Sequence, residues 1–294
     1  MNSQAAISTT GLTKHFGQVV ALDSLDLEVR PGEIFGFLGP NGSGKTTTIR
    51  LLLGLIRPTR GNATILGIPV GDVERAHRHV GYIPGDVALW PQLTGTETLD
   101  LLGNVAGTVD TAFRAELLER LGLDPSQRLR SYSKGNRQKI ALVAALMSRP
   151  DVLLLDEPTA GLDPLMEAQF QELARDAARR GQTIFLSSHI LDEVQDLCDR
   201  VGILRAGRLV EVAALEDLRR LGSIIVDLVI EGPVPDLKGV KGVTAVEAIA
   251  GVPGGVKVTV AGSPAALLAR LATVDVVRLR TEEPSLEEIF LTYY

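Results

Sequence analysis

Three short stretches of the chain set reactive side chains at the ends of apolar runs. The first, Gly39-Pro40-Asn41-Gly42-Ser43-Gly44-Lys45-Thr46, fits G-x-x-x-x-G-K-[ST] without a mismatch. Glycines at this spacing let the backbone turn tightly with its N–H groups pointing inward. Those donors and the N-terminus of a following helix stabilise phosphate charge. Lys45 is placed to reach β- and γ-phosphates, the Thr46 hydroxyl to ligate Mg²⁺, and Thr47 lies toward the α-phosphate end. The second stretch is Asp156-Glu157, which closes an apolar run over 152–155. Two acids after an apolar run are ordinarily a solvated pair. Downstream of a phosphate loop, Asp156 becomes the natural Mg²⁺ partner and Glu157 is placed to polarise an attacking water. The third is His189, at the end of the run 183–188. A lone histidine is usually structural. Here it is the third polar group at a strand end, and parallel strands bring such ends to one sheet edge.

The elements that position these groups are legible around them. Residues 7–16 and 19–29 are β-prone, with a turn near Gly17. Pro31-Gly32 is a turn before a wholly apolar strand at 34–38. A helix is predicted from Thr46 to about Leu55, ended by Pro58 and Gly61, and a strand at 64–70. The pattern over 95–121 is helical, with Thr94 or Thr96 capping the first piece and Asp110 the second. Ser133 caps a helix that runs to Ser148, where Arg149-Pro150 stops it. Residues 152–155 form a buried strand. Asp163 at N-cap and Pro164 at N1 open a helix that Gly181 closes, with Phe170, Leu173 and Ala177 on one face. Residues 183–186 form a strand, Leu191, Val194 and Cys198 mark the next helix face, and 201–204 is a strand ending at Gly207. This alternation predicts an α/β fold with a largely parallel sheet covered on both sides. Beyond about Leu221 come strands at 223–231, 243–250, 256–261 and 274–279, a helix at 264–271 and a final amphipathic helix at 285–294. They predict a small α+β domain.

Composition narrows the function classes. The chain has 294 residues and is 45% hydrophobic, enough for a sizeable core. Its formal net charge of −6 argues against a protein that coats nucleic acid. The single cysteine, Cys198, excludes an internal disulfide and a cysteine-cluster metal site, and reads as a buried thiol. Met1 to Thr10 shows no secretory pattern, and no apolar run approaches the roughly 20 residues that span a bilayer. A soluble chain that reaches a membrane only through a partner is expected.

With these motifs in order, the sequence resembles the ATP-binding subunit of ABC transporters over about residues 7–211. The loop and the Asp156-Glu157 pair are shared with many P-loop ATPases, so the specific evidence lies elsewhere. Tyr132-Ser133-Lys134-Gly135-Asn136-Arg137-Gln138 sits where the family's signature is expected, with Ser133 94 residues after Gly39. Ala160-Gly161-Leu162-Asp163 matches the family's D-loop, His189 the switch histidine, and Phe16 the aromatic that stacks on adenine. The resemblance implies a P-loop NTPase fold of the ABC type: a mixed sheet core, an antiparallel β subdomain and a helical subdomain at about 86–148. Together these form an ATP-binding domain over 1–215, followed by a small C-terminal α+β domain over 216–294. It implies ATP and Mg²⁺ as ligands, with Thr46 and Asp156 toward the metal and Glu157 and His189 as catalytic groups. It further implies a second copy of the chain, whose Ser133, Lys134, Gly135 and Asn136 meet the nucleotide in trans.

Two departures stand out. Tyr132, Lys134 and Asn136 replace Leu, Gly and Gln of the signature, while Ser133 and Gly135 are kept. After Pro84, Gly85 stands where the family usually has a glutamine that touches Mg²⁺ and relays closure to the membrane partner; Asp86 or water would have to substitute. Glu283-Pro284-Ser285-Leu286-Glu287-Glu288-Ile289-Phe290 resembles the ending of drug- and antibiotic-export ATPases, although Leu286, Ile289 and Phe290 also read simply as the apolar face of a last helix. The resemblance thus implies an exporter of drug-like molecules, bound at the cytoplasmic face of the membrane to a separately encoded ABC-2-type permease, with 86–129 as the contact. The alternatives are a soluble ABC-type ATPase acting on ribosomes or nucleic acid, and a P-loop kinase or GTPase. Translation-type members usually carry two cassettes and repair-type members a long coiled-coil insertion, and 94 residues leave no room for one. A kinase or GTPase would lack the Ser133 element and the His189 switch.

Overall fold

The computed structural model describes residues 4–107, 109–217 and 223–282. The chain divides into two compact units, Met1–Val212 and Ala213–Tyr294.

The first unit holds two sheets. Strands β1 (Ile7–Phe16) and β2 (Val19–Val29) form an antiparallel hairpin, and β4 (Arg60–Ile65) pairs antiparallel with the other edge of β1. A short β5 (Ile68–Pro69) completes the order β2-β1-β4-β5. The second sheet has the order β10-β9-β3-β8-β7-β6. It consists of β3 (Ile34–Leu38), β6 (Val80–Ile83), β7 (Val152–Asp156), β8 (Thr183–Ser188), β9 (Arg200–Arg205) and β10 (Arg208–Ala214). The pairings β9-β3, β3-β8, β8-β7 and β7-β6 are all parallel. Every residue of β3, β7 and β8 is buried, as strands covered on both faces require.

Helix α1 (Lys45–Leu52) follows β3 and presses Ile49, Leu51 and Leu52 into the main core with Phe35, Phe37, Leu154 and Phe185. The Phe37 and Phe185 rings lie 5.1 Å apart. Helices α6 (Pro164–Arg179) and α7 (Leu191–Leu197) alternate with β7, β8 and β9. A Cβ on Gly36 would stand 2.5 Å from Val194 Cγ1, so this glycine permits the close seat of α7 on β3. Cys198 is buried there, and burial pushes its thiol pKa up.

Between β6 and β7 lies a helical region: α3 (Gly95–Ala106), α4 (Thr111–Arg120) and α5 (Lys134–Leu146). Thr94 opens α3 with a reciprocal capping box to Glu97, and Asp110 caps α4 through the Phe113 N–H. Arg120 of α4 pairs with Asp176 of α6 at 2.8 Å, and the guanidinium groups of Arg149 and Arg180 both lie over the Phe113 ring.

The second unit is one antiparallel sheet, in the order β12-β13-β11-β14, with one helix. Its elements are β11 (Ser223–Glu231), β12 (Val243–Ala248), β13 (Gly255–Ala261), α8 (Ala265–Leu271) and β14 (Asp275–Glu282). Val226, Leu228, Ile230, Val258 and Val260 bury one sheet face against Leu267 and Leu271. On the other face, Glu247, Lys257, Asp227 and Arg280 stand in register across all four strands, a row of alternating charge.

Several local expectations need correction. Helix α1 stops at Leu52 rather than near Leu55, because Gly54 adopts a left-handed conformation (φ 65°) before Pro58 or Gly61 is reached. The strand expected at 64–70 begins at Arg60 and is broken by Leu66 (φ 50°) and Gly67 (φ 74°), the two positive φ values that a tight hairpin turn demands. A short α2 (Val73–His77), β6 and β10 are additional. The helix expected at 285–294 lies outside the described residues.

Candidate active site

The adjacent parallel strands β3, β8 and β7 end together, which brings the three sequence stretches to one place. The phosphate loop leaves β3 at Leu38. Its glycines are sterically required at two points. A Cβ on Gly39 would meet Leu204 O at 2.3 Å. One on Gly44, which has φ 116°, would meet Ala21 O at 2.6 Å. Gly42 also has positive φ, at 81°. The loop therefore exists only because these positions carry no side chain.

Lys45 is 5% exposed and makes three contacts. Its ammonium donates to Gly39 O (2.7 Å) and Pro40 O (3.2 Å) and pairs with Glu157 Oε1 at 3.4 Å. On the opposite side of Glu157, Oε2 lies 3.1 Å from His189 Nδ1. Lys45, Glu157 and His189 thus form one continuous chain of contacts across the three strand ends. The next residue along α1, Thr46, donates its hydroxyl to Asp156 Oδ1 at 3.2 Å. Ser187 Oγ donates to the same Asp156 oxygen at 2.7 Å.

Glu157 has φ 47°, uncommon for a residue with a side chain. Its N–H donates to both the carbonyl and the hydroxyl oxygen of Ser187, each at 3.1 Å. Those bonds turn the chain out of β7 so that Asp156 and Glu157 face different partners. Ser187 escaped the sequence reading. The only signal was a Ser-Ser pair at a strand end just before His189.

Two cavities open beside these groups. One of about 140 Å³ is lined by Ala21, Asn41, Gly42, Gly44, Lys45, Thr46, Thr47 and Glu157. A second of about 370 Å³ is walled by Asp156, Tyr82, Arg50, Gly85 and Asp86, and shares Thr46 and Glu157 with the first. Burial, with the neighbouring Asp156 charge, holds the Tyr82 phenol above its ordinary pKa. A Cβ on Gly85 would stand 3.2 Å from Asp156 O, so the bare glycine lets the 84–86 segment approach β7 closely.

The residues present fit a phosphate-bearing ligand. Gly42, Gly44, Lys45 and Thr46, at the N-terminus of α1, line the smaller cavity. No group of three or more His, Cys, Asp or Glu among the described residues could hold a metal by itself. The Thr46 hydroxyl and Asp156 carboxylate offer two hard oxygens, the partial set that suits Mg²⁺ completed by phosphate and water. Ser43 Oγ is buried in the loop with no hydrogen-bond partner and lies against Gly39, where a Cβ would stand 2.6 Å from it.

The remaining expected residues lie elsewhere. Phe16, half exposed at the end of β1, has Lys14 Nζ 4.8 Å from its ring centre and lines neither cavity. Ser133 caps α5, its Oγ accepting from the Asn136 N–H at 3.2 Å. Ser133, Lys134, Gly135 and Asn136 line neither cavity of their own chain. Asp163 caps α6 through the Met166 N–H at 3.0 Å.

Comparison with known proteins finds similar chains. A family profile described as "ABC transporter" matches residues 22–160. A second, "ATP-binding protein DrrA1-3-like, C-terminal domain", matches 215–294. The linearmycin resistance ATP-binding protein LnrL of Bacillus subtilis (strain 168) is 31% identical over 97% of both chains. The daunorubicin/doxorubicin resistance ATP-binding protein DrrA of Streptomyces peucetius is 38% identical over 78% of this chain and 72% of its own. A solved "ATP binding subunit of ABC transporter" superposes with a TM-score of 0.69 at 32% identity, covering 73% of this chain and 92% of that one.

Proposed function

This chain belongs to the ABC transporter family as an ATP-binding, ATP-hydrolysing subunit, and from that premise we propose that two copies clamp two ATP molecules to drive a separately encoded ABC-2-type permease exporting drug- or antibiotic-like molecules. The cargo class rests on the resistance proteins among its relatives and on the C-terminal match, which covers 215–294. No helix among the described residues is long and apolar enough to cross a membrane. Segment 86–129, most of the helical region, is the surface that meets the permease.

The observation that carries the hydrolytic reading is the Lys45–Glu157–His189 contact chain. Phosphoryl transfer to water needs charge neutralised and a nucleophile in line more than covalent help. Lys45 holds the β- and γ-phosphates, and the loop N–H groups and the α1 N-terminus spread the remaining charge. Thr46 and Asp156 would hold Mg²⁺, which when bound would supply neutralising charge to the phosphate oxygens. Phosphates that draw the Lys45 ammonium toward themselves release Glu157 Oε1 to accept from water. His189 holds the other carboxylate oxygen and faces the γ-phosphate side. Gly85 offers no side chain to the larger cavity, so Asp86, which also lines it, or water would take the place of the usual glutamine.

The trans contact follows from α5. Ser133 Oγ spends a lone pair on the helix cap, which leaves its own proton for a phosphate oxygen. The helix N-terminus and Lys134 add positive potential. Because a γ-phosphate would be shared between two surfaces, ATP closes the pair and its hydrolysis reopens it. Gel filtration of Glu157→Gln tests this: with ATP the variant should elute as a stable dimer, and a monomer at saturating ATP overturns the clamp.

A further inference from the structure

Gln138 lies one turn inside α5 from Lys134, and nothing in the hydrolytic reading uses it. It is buried, and its Nε2 donates to Pro158 O at 2.9 Å. We propose that Gln138 is a positioning residue for Glu157, tying the base of one nucleotide site to the helix that serves the other.

The argument starts from the backbone of Glu157. A side-chain-bearing residue at φ 47° persists only where its surroundings over-determine it. On its N-terminal side the clamp is complete, because the Glu157 N–H bonds to both oxygens of Ser187. On its C-terminal side comes Pro158, which has no N–H, so its carbonyl is the backbone handle next to the strained residue. Gln138 holds that handle. Only the amide nitrogen can face a carbonyl, so the orientation of the side chain is set by chemistry. Lys134, four residues earlier on the same helix face, rests on the same segment: a Cβ on Gly161 would stand 2.6 Å from Lys134 Nζ. The first turns of α5 and the 158–161 segment are therefore packed as one piece.

Without a donor at 138, the Pro158 carbonyl is left buried and unpaired, and Glu157 can relax from the angle that puts Oε1 toward Lys45 and Oε2 toward His189. Misplacing a base by an ångström costs rate rather than affinity. Positioning stands on this chain's own geometry; the link between two sites rests on the two-copy reading above.

The test is steady-state and single-turnover ATP hydrolysis by full-length Gln138→Leu, which keeps volume and loses the donor. The turnover number should fall by about tenfold or more while KM for ATP stays within about twofold. Gln138→Lys, which retains an N–H donor, should recover much of the rate. On a Glu157→Gln background, Gln138→Leu should cause no further loss, since it acts through the carboxylate already removed. Should Gln138→Leu not fold, Gln138→Glu, also without a donor, carries the same comparisons. An additive loss, an unchanged turnover number, a raised KM alone or a lysine variant as slow as the leucine one overturns the assignment. The double variant should still form the ATP-bound dimer. If Glu157→Gln alone does not dimerise, the two-copy reading fails, while the additivity result still decides the role of Gln138.

Discussion

Lys45 shows how one side chain joins several parts of the site. Its three contacts reach the glycine-rich loop proposed to bind phosphate and the Glu157 carboxylate proposed to activate water. Lys45→Ala should abolish nucleotide binding or turnover, checked by fluorescent-nucleotide titration and phosphate release. Gly39 is equally constrained. A Cβ there would stand 2.3 Å from a backbone oxygen and 2.6 Å from Ser43 Oγ. Gly39→Ala should lower stability by about 2–4 kcal/mol, measured by urea unfolding, with weaker nucleotide binding. Most of these residues were legible in the sequence because each motif is contiguous and its chemistry is local. Ser187 and Gln138 were not. Their partners, Asp156 and Pro158, lie 31 and 20 residues away in the chain, and strand pairing and helix packing alone bring them together.

At the scale of elements, legibility followed the strength of local signals. The bounds of β1, β2 and β3 agree with the sequence reading because turns at Gly17 and Pro31-Gly32 punctuate apolar runs. The caps at Asp110, Ser133 and Asp163 were found because an acceptor at N-cap has one purpose there. Of the two threonines offered for α3, the capping box selects Thr94. Strand β6 escaped because its four residues include a glycine and follow a histidine-rich surface turn. Its place is fixed instead by pairing with β7. Thr94→Ala should cost about 1 kcal/mol, seen as a Tm fall of about 2–4 °C. Asp110 lies below its ordinary carboxylate pKa of 3.8, first because it accepts from the Phe113 N–H and then because Arg149 donates to it. A depressed folded pKa contributes stability above the unfolded value, lost as pH falls through the folded one. Asp110→Asn, which keeps an acceptor, should therefore flatten the fall of Tm with pH below about 4.

At the scale of the whole molecule, every residue assigned to the nucleotide lies in the first unit, and each unit fills its core from its own strands and helices. A fragment of residues 1–215 should bind nucleotide with a Kd within about threefold of the full chain, by calorimetry, because no contact named at the site comes from beyond it. In the second unit, alternation along β11, β13 and β14 was readable as strand, whereas the row Glu247, Lys257, Asp227 and Arg280 depends on a register that no local pattern specifies. Self-sufficient interiors have a historical corollary. Substitutions can accumulate in the second unit without disturbing the nucleotide site, so its sequence should diversify faster than that of the first.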